Sequence, residues 1–387
     1  MLSDYDKKII SWSSGGLLIF VSSFLWVPSR DGLQIVFLFS LLLPLCLFFI
    51  KFPKAFLPKN EINFLAFIYA IYACISVLWG NSTDALHFIF VLFVLMIWLT
   101  GVPIVYPSIS SKMQEYLMYL CILGALFSIG STAYFHLFVD YDSRVWAWNV
   151  FRNPNEFGAA CGVVSIIAFT MGLQAHAISR SYFLFFLSAL CLVGLIASFS
   201  RGAIFAYMVT FLFTLLITRP RFRIWAPLLV SIIVLSGAVI VLLNLSMHLQ
   251  IGDNFSNGRL EIWKFALSHN GDFWWGQGIS KNSKVLISDL NATVNHMHNA
   301  WLDTYYRTGF LGLMLIIFHA FAVLRGFSKA VEVFPFYVWI IYGMITMLFD
   351  GRCFFWELNA KWFFYWIPAA FIAAHIEYKN SMRLKLT

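Results

Sequence analysis

Two arginines lie where a polypeptide chain can bind an anion. Arg201 stands in Ser200-Arg201-Gly202 between two apolar runs, and Arg259 follows Gly258 at the start of an amphipathic segment. We expect Arg201 at a membrane surface, where a charge usually has a partner or a task. We expect Arg259 in the first turn of a helix, beside unpaired backbone N–H groups. Both guanidiniums are permanently charged forks of donors, which suits phosphate binding. The alternative for Arg201 is a side chain that only anchors its helix at the membrane surface. The alternative for Arg259 is a solvated side chain on an ordinary interfacial helix.

A histidine pair closes the longest polar stretch of the chain, in His296-Met297-His298-Asn299. Asn299 is expected to cap the helix that follows, which places His298 beside the positive end of that helix. This position disfavours the imidazolium form, so the sequence predicts a neutral ring able to act as a general base. A loop histidine that only supports the cap is the alternative. Histidines at i and i+2 could also bind a metal ion, but no carboxylate cluster accompanies them in the sequence, so no metal is predicted.

Two further charged residues are candidates for accessory roles. Arg152 precedes Pro154 at the start of another apolar run, where it could extend a positive surface toward an anionic ligand. Asp350 clusters with Arg352 and Glu357 after a late apolar run. These three residues either form a salt-bridged loop or help to position an acceptor, and the sequence leaves both interpretations open.

The composition that surrounds these residues is that of a membrane protein. Of the 387 residues, 61% are apolar and 11% are charged, and the mean hydropathy is +0.80. A soluble domain carries about 25% charged residues, so soluble, disordered and fibrous proteins are excluded. The apolar runs are continuous rather than alternating, which excludes an outer-membrane barrel. We therefore predict one all-α polytopic transmembrane domain over residues 1–387.

The apolar runs predict about twelve membrane-spanning helices, each near the length of about 20 residues that a bilayer requires. The predicted spans cover residues 12–28, 33–50, 62–79, 85–105, 114–138, 156–174, 181–199, 202–218, 223–244, 300–324, 334–349 and 362–377. Both termini then lie on the same side of the membrane. If that side is the cytoplasm, most Lys and Arg residues fall on inner segments, as the positive-inside rule requires. This distribution explains the net charge of +8 without a nucleic-acid partner.

One predicted outer segment, residues 245–299, is much longer than most other connections. Long irregular loops in compact proteins are usually functional, and this one contains the second arginine and the histidine pair. Within it, the segment from Arg259 is predicted to be an amphipathic helix on the bilayer surface, with Leu260, Trp263 and Leu267 on its apolar face. Function is therefore expected on the outer face of the membrane.

In their order and spacing, these motifs resemble the O-antigen ligase and polymerase superfamily. The motifs are Ser200-Arg201-Gly202 at the opening of a span, Gly258-Arg259 before Trp263, Gly276-Gln277-Gly278, and His298-Asn299 followed by Leu302 and a helix with Gly309 and Gly312. The resemblance covers mainly residues 150–325, with a matching span count elsewhere.

The resemblance implies a multi-pass glycosyltransferase of the bacterial inner membrane with a GT-C-type helical architecture. Such an enzyme takes a glycan from undecaprenyl diphosphate on the periplasmic face, without a metal or other cofactor. A ligase delivers the glycan to lipid A–core oligosaccharide, and a polymerase delivers it to another lipid-linked repeat unit. By motif, Arg201 and Arg259 bind the donor diphosphate, and His298 is the base. Asp350 is the candidate for a late functional aspartate.

The His-x-His-Asn motif and the single long loop favour the ligase over an O-antigen or exopolysaccharide polymerase. Arg152 and His296 are predicted to have accessory roles in the site.

A transporter with twelve spans is the alternative from another class of protein. It would place charges at mid-membrane beside broken helices, whereas most charges here lie at the ends of spans. Asp303 and Arg307, near the start of the tenth span, are spaced to pair with each other.

Overall fold

The apolar runs form helices, because a backbone in hydrocarbon must satisfy its polar groups within its own segment. A computed structural model describes residues 4–80, 85–139, 144–219, 258–268, 272–280, 285–287, 292–294, 296–328 and 330–384. Its helices are α1 (Asp4–Trp26), α2 (Arg30–Phe37), α3 (Leu43–Lys51), α4 (Glu61–Ile75), α5 (Ala85–Ile109), α6 (Met113–Phe138), α7 (Pro154–Gln174), α8 (Ile178–Ala197), α9 (Arg201–Thr218), α10 (Arg259–Ser268), α11 (Ala300–Arg325), α12 (Phe334–Thr346) and α13 (Ile367–Leu384). Strands β1 (Val285–Ile287) and β2 (Ala292–Val294) pair antiparallel, with Val285 opposite Val294.

Eight helical segments within the described residues are long and apolar enough to cross a membrane. One of them, Ala85–Phe138, contains α5 and α6 and corresponds to two of the predicted spans. Helix α12 is a shorter apolar helix of 13 residues, and the predicted span 223–244 lies outside the described residues. The chain is a polytopic helical membrane protein, as the composition predicts. The exception to all-α structure in the described part is the short hairpin of β1 and β2.

The described chain forms two compact units. The first comprises Met1–Met113, Arg259–Ser328 and Met347–Thr387, and the second comprises Gln114–Gly258 and Lys329–Thr346. In the first unit, α4 packs against α11, and α5 packs against α1 and α13. Buried side chains also form hydrogen bonds between segments of this unit: the indole of Trp98 in α5 donates to the carbonyl of Trp366 at 3.0 Å, and Asn63 in α4 donates to the carbonyl of Leu99 in α5 at 2.9 Å.

The second unit is built around α7, whose small residues allow close packing. A Cβ atom at Gly158 would lie 2.1 Å from the hydroxyl oxygen of Ser198, and one at Gly162 would lie 2.1 Å from that of Tyr342. This Gly-xxx-Gly spacing places both glycines on one face of the helix, as is common where membrane helices approach closely. The contact with Ser198 fixes the turn between α8 and α9, where Arg201 begins its helix.

Candidate functional site

The helix that begins at Arg259 packs against the segment that carries the histidine pair. Buried side chains from α10, from that segment and from α11 form a small apolar core, made of Ile262, Ala266, Met297 and Tyr306. The indole of Trp263 donates to the carbonyl of Met297 at 3.0 Å. Arg259 is half-buried in the first turn of α10, as the sequence predicts. Helix α10 is therefore held against the residue that precedes His298.

The face of α10 that packs inward is distinct from the apolar face predicted to lie on the bilayer. Ile262 and Ala266 are buried, whereas Leu260 and Leu267 are 52% and 61% exposed. The helical period alone predicts the apolar face of α10, and it contains no information about the side chains that cover this helix. Contact of the exposed leucines with a bilayer stays a prediction.

Asn299 caps α11 as predicted, and His298 lies just before the cap. The amide oxygen of Asn299 accepts the backbone N–H groups of Trp301 at 3.0 Å and Leu302 at 3.1 Å. His298 has φ of +49°, in the left-handed region. A residue with a Cβ atom rarely adopts this conformation, which costs about 1–2 kcal/mol. Such a conformation persists where surrounding contacts fix it, and it is frequent at functional sites.

Asp350 joins His296 and His298 from 52 residues further along the chain than His298. Its Oδ1 atom lies 3.3 Å from Nδ1 of His298 and 3.6 Å from Nε2 of His296, and the two rings are 4.2 Å apart between centroids. The Asp350 side chain is only 10% exposed, while those of His296 and His298 are 21% and 31% exposed. The cluster therefore buries its carboxylate and presents its imidazoles to the outside.

The carboxylate of Asp350 is ionised at neutral pH. Burial alone would raise the pKa of Asp350, but its polar contacts with His296 and His298 and the positive charge of Lys361 hold that pKa well below its ordinary value. An ionised carboxylate only accepts hydrogen bonds, so the proton of a neutral His298 belongs on Nδ1. The Nε2 atom of His298 then carries the free lone pair that a general base requires.

A buried ion pair holds the two loops of this cluster together. Asp303 and Arg307 are 0% and 2% exposed, and their side chains meet at 2.8 Å, which confirms the predicted pairing. The carboxylate of Asp303 also accepts the backbone N–H groups of Met297 at 3.2 Å and Cys353 at 2.8 Å. One side chain thus fixes the residue before His298 and the loop that follows Asp350. The i, i+4 spacing of the pair predicts the ion pair but not the backbone contacts that Asp303 makes.

The Gly276-Gln277-Gly278 motif forms hydrogen bonds with the backbone of α11 at the point where this helix is interrupted. Gly309 has φ of +67° and ψ of −170°, so the helix is interrupted there. The freed carbonyls of Tyr306 and Arg307 accept the N–H groups of Gln277 at 3.0 Å and Gly278 at 2.8 Å. The guanidinium of Arg307 reaches the same loop and donates to the carbonyl of Ile279 at 3.0 Å.

The loop that contains Asp350 is not the salt-bridged loop considered from the sequence. Arg352 lies over the ring of Trp356 at 5.1 Å, and Glu357 pairs with Arg30 at the start of α2. Asp350 instead turns toward the histidines.

In the second unit, Arg201 begins α9, and Ser200 caps that helix by accepting the N–H of Ala203 at 3.4 Å. Arg201 is exposed, and Phe199, two residues before it, has φ of +49°. Arg144 holds this turn, because it donates to the carbonyl of Ser198 at 3.0 Å.

Arg144 also donates to the amide oxygen of Asn155 at 2.7 Å, which joins the turn to the start of α7. Arg152 is exposed one residue before Asn153, the cap of α7. The structure thus places Arg201 and Arg152 at helix starts within one unit, while the histidine cluster and Arg259 belong to the other. Their convergence on one ligand stays a prediction.

The absence of a carboxylate cluster beside the histidines in the sequence does not exclude a metal. Folding brings the carboxylate of Asp350 to the histidine pair. Within the described residues, the potential ligand atoms of His296, His298 and Asp350 all lie within 4.8 Å of one another. The distance of 52 residues along the chain hid this carboxylate from an argument based on local spacing.

Two comparisons with known proteins agree with the motifs. A family model described as O-Antigen ligase matches residues 186–317. A protein named O-antigen ligase from Pseudomonas aeruginosa is 24% identical over 372 residues, which cover 93% of this chain and 89% of that protein. The matches confirm the predicted resemblance. The range matched by the family model contains Arg201, Arg259 and His298, but neither Arg152 nor Asp350.

Proposed function

We propose that this chain, which resembles the O-antigen ligase superfamily, is an O-antigen ligase. It would transfer a glycan from undecaprenyl diphosphate to lipid A–core oligosaccharide, without a metal and with inversion at the anomeric carbon. The observation that carries the proposal is the contact between His298 Nδ1 and Asp350 Oδ1, at 3.3 Å. This contact orients an imidazole as a base beside a motif that the superfamily resemblance assigns to catalysis.

The proposed reaction is one displacement. A hydroxyl oxygen of the acceptor attacks the anomeric carbon of the glycan, and the bond from that carbon to the diphosphate oxygen breaks. Undecaprenyl diphosphate leaves with the bonding electron pair, and the hydroxyl proton passes to Nε2 of His298. Attack from the side opposite the leaving group inverts the anomeric centre. Diphosphate is already a good leaving group, so the enzyme has to hold its negative charge and remove one proton.

The arginines are proposed to hold the diphosphate. Arg201 and Arg259 each begin a helix, where backbone N–H groups and the helix dipole also favour an anion. A guanidinium stays charged at every working pH and can bind two phosphate oxygens at once. Stabilising the charge that develops on a leaving group is often the largest contribution to catalysis. Arg152 would extend the same positive surface.

Asp350 is proposed as a positioning residue for His298. Its ionised carboxylate would hold the Nδ1 proton of His298 and stabilise the imidazolium that forms when Nε2 takes the acceptor proton. His296 contacts the same oxygen atom of this carboxylate and would limit its rotation. The buried pair of Asp303 and Arg307 then supports the loops that carry both partners.

The proposed setting is the bacterial inner membrane, with a GT-C-type arrangement of twelve spans and both termini in the cytoplasm. The segment 245–299 and the catalytic groups would face the periplasm. This orientation is supported by the distribution of Lys and Arg residues along the sequence. Two lipid-embedded substrates would then reach the site from the outer leaflet.

The proposal is tested by finding which acceptor molecule receives the glycan. Purified chain in detergent is incubated with a labelled glycan on undecaprenyl diphosphate and with lipid A–core oligosaccharide. A ligase moves the label to lipid A–core. Label that lengthens only on the undecaprenyl carrier would identify a polymerase instead. A protein that transfers nothing in detergent but moves the labelled lipid across sealed vesicles would be a transporter.

A further inference from the structure

The histidine cluster has the composition of a transition-metal site. Two imidazoles and one carboxylate converge from His296, His298 and Asp350, with their potential ligand atoms within 4.8 Å of one another. Ligands on a tetrahedral zinc ion, with bonds of about 2.0–2.2 Å, lie about 3.3 Å apart. The two histidine-to-carboxylate distances of 3.3 and 3.6 Å already match that spacing.

The two imidazoles and the carboxylate determine which metal ions this cluster can bind. Imidazole nitrogen suits Zn²⁺, Cu²⁺ and Ni²⁺, whereas Mg²⁺ and Ca²⁺ require oxygen ligands. The imidazoles are 21% and 31% exposed, so an ion can reach them from solution. Among the described residues, none hydrogen-bonds to the buried Nδ1 atom of His296.

Metal binding would remove the proposed base. A neutral imidazole carries one proton, and the Nδ1 atom of His298 faces Asp350. A metal bound at Nδ1 takes the lone pair of that atom, so the proton moves to Nε2. The Nε2 atom then has no lone pair to accept a proton from the acceptor hydroxyl. Binding and catalysis thus require opposite tautomers of the same ring.

We infer that His296, His298 and Asp350 form an inhibitory site for zinc-like divalent ions. The metal site stands on the geometry alone, and only its inhibitory effect rests on the proposed transferase function. Lys361 places a positive charge near Asp350, which weakens the attraction for a cation. The site is therefore expected to bind reversibly rather than to retain a resident ion.

Direct metal binding tests the site without any reference to activity. The full chain is purified in detergent with a histidine-free tag and titrated with Co²⁺, whose visible absorption reports coordination by protein ligands, and then with Zn²⁺ as the competitor. We expect one Co²⁺ per chain, displaced by Zn²⁺ and not by Mg²⁺. His296→Gln should lower the affinity for Co²⁺ at least about tenfold. Substitution of a residue that supports a metal site typically lowers the affinity by at least this factor. His176→Gln, an exposed histidine between α7 and α8, is the matched control and should bind as the wild type does.

Two further variants sharpen the test. Asp350→Asn should weaken Co²⁺ binding as His296→Gln does, whereas Lys361→Gln should strengthen it by removing a nearby positive charge. Equal Co²⁺ affinity in the wild type, His296→Gln and Asp350→Asn would overturn the site, as would the absence of a Co²⁺ absorption band.

The inhibitory effect is measured separately. Zn²⁺ should slow glycan transfer by the wild type, a chelator should restore it, and His296→Gln should need at least about tenfold more Zn²⁺ for half-inhibition, relative to its own metal-free rate. Transfer at the full rate with the site saturated would overturn the inhibition. A chain that binds Co²⁺ as described but transfers no glycan would refute the proposed function and leave the metal site standing.

Discussion

The carboxylate of Asp303 accepts the backbone N–H of Cys353 at 2.8 Å, so the first turn of α11 fixes the loop that contains Asp350. The same carboxylate pairs with Arg307 and accepts the N–H of Met297. A single buried group therefore sets the distance between the proposed base and its positioning residue. If transfer depends on this distance, substitution of Asp303 should lower the transfer rate, although Asp303 is not proposed to contact either substrate.

Asp303→Leu should destabilise the protein and abolish transfer. It leaves Arg307 buried without its carboxylate and Cys353 without its acceptor, and breaking a buried ion pair costs about 3–5 kcal/mol. Unfolding of the purified chain in detergent measures the free-energy change. The matched control is Glu61→Gln, which breaks an exposed pair with Arg325 and should change stability by less than about 1 kcal/mol. Equal effects of the two substitutions would contradict the proposed role of Asp303.

Gly309→Ala should detach the 272–280 loop from α11. A Cβ atom at Gly309 would lie 2.2 Å from the carbonyl oxygen of Trp274, and its φ of +67° is unfavourable for alanine. We expect a loss of more than about 1 kcal/mol of stability, together with a loss of transfer. The matched control is Gly15 in α1, where an added Cβ atom would lie in open space. Gly15→Ala should therefore be neutral or stabilising. Thermal unfolding of both variants gives the comparison.

Asp350→Asn should slow transfer while donor binding is kept. The amide cannot act as the ionised acceptor for the Nδ1 proton of His298, so the base loses its tautomer and orientation. We expect kcat to fall at least about tenfold with little change in the KM for the donor, the pattern of an interaction made mainly in the transition state. Glu357→Gln, in the same loop, is the control and should retain the wild-type kcat. A rise in KM alone would show that Asp350 acts in binding.

Arg201→Lys and Arg259→Lys should each weaken binding of undecaprenyl diphosphate, because a point charge cannot replace a planar fork of donors. Inhibition of transfer by free undecaprenyl diphosphate measures this binding, and we expect at least about a tenfold rise in the inhibition constant, roughly 1.4 kcal/mol. Arg325→Lys, at the other end of α11, should bind like the wild type. If only one of the first two variants is affected, the diphosphate is held by one arginine.

Local features of this fold could be predicted from the sequence, and long-range ones could not. The apolar runs predict the helices, since each helix satisfies its own backbone, and Asn299 is recognisable as a cap from its type and position. The break at Gly309 depends on donors from the 272–280 loop, which lies earlier in the chain. The inward face of α10 depends on Met297 and Tyr306, which no helical period reveals.

The candidate site shows the same division. Its imidazoles lie two residues apart in the sequence, and this spacing is enough to predict them as a pair. The carboxylate that contacts them comes from a loop 52 residues away, and the buried Asp303 bonds both to that loop and to Met297. Neighbours along the chain do not reveal this carboxylate, so the sequence predicts no metal there.

The rate of a single turnover by His298→Ala tests the central claim most directly. Excess enzyme is mixed with labelled donor and saturating lipid A–core, and product is followed in time beside binding of undecaprenyl diphosphate. Loss of a general base should slow the chemical step by about 10²–10⁴-fold, with diphosphate affinity unchanged. His176→Ala should react at the wild-type rate. Transfer by His298→Ala at the wild-type rate would contradict the account.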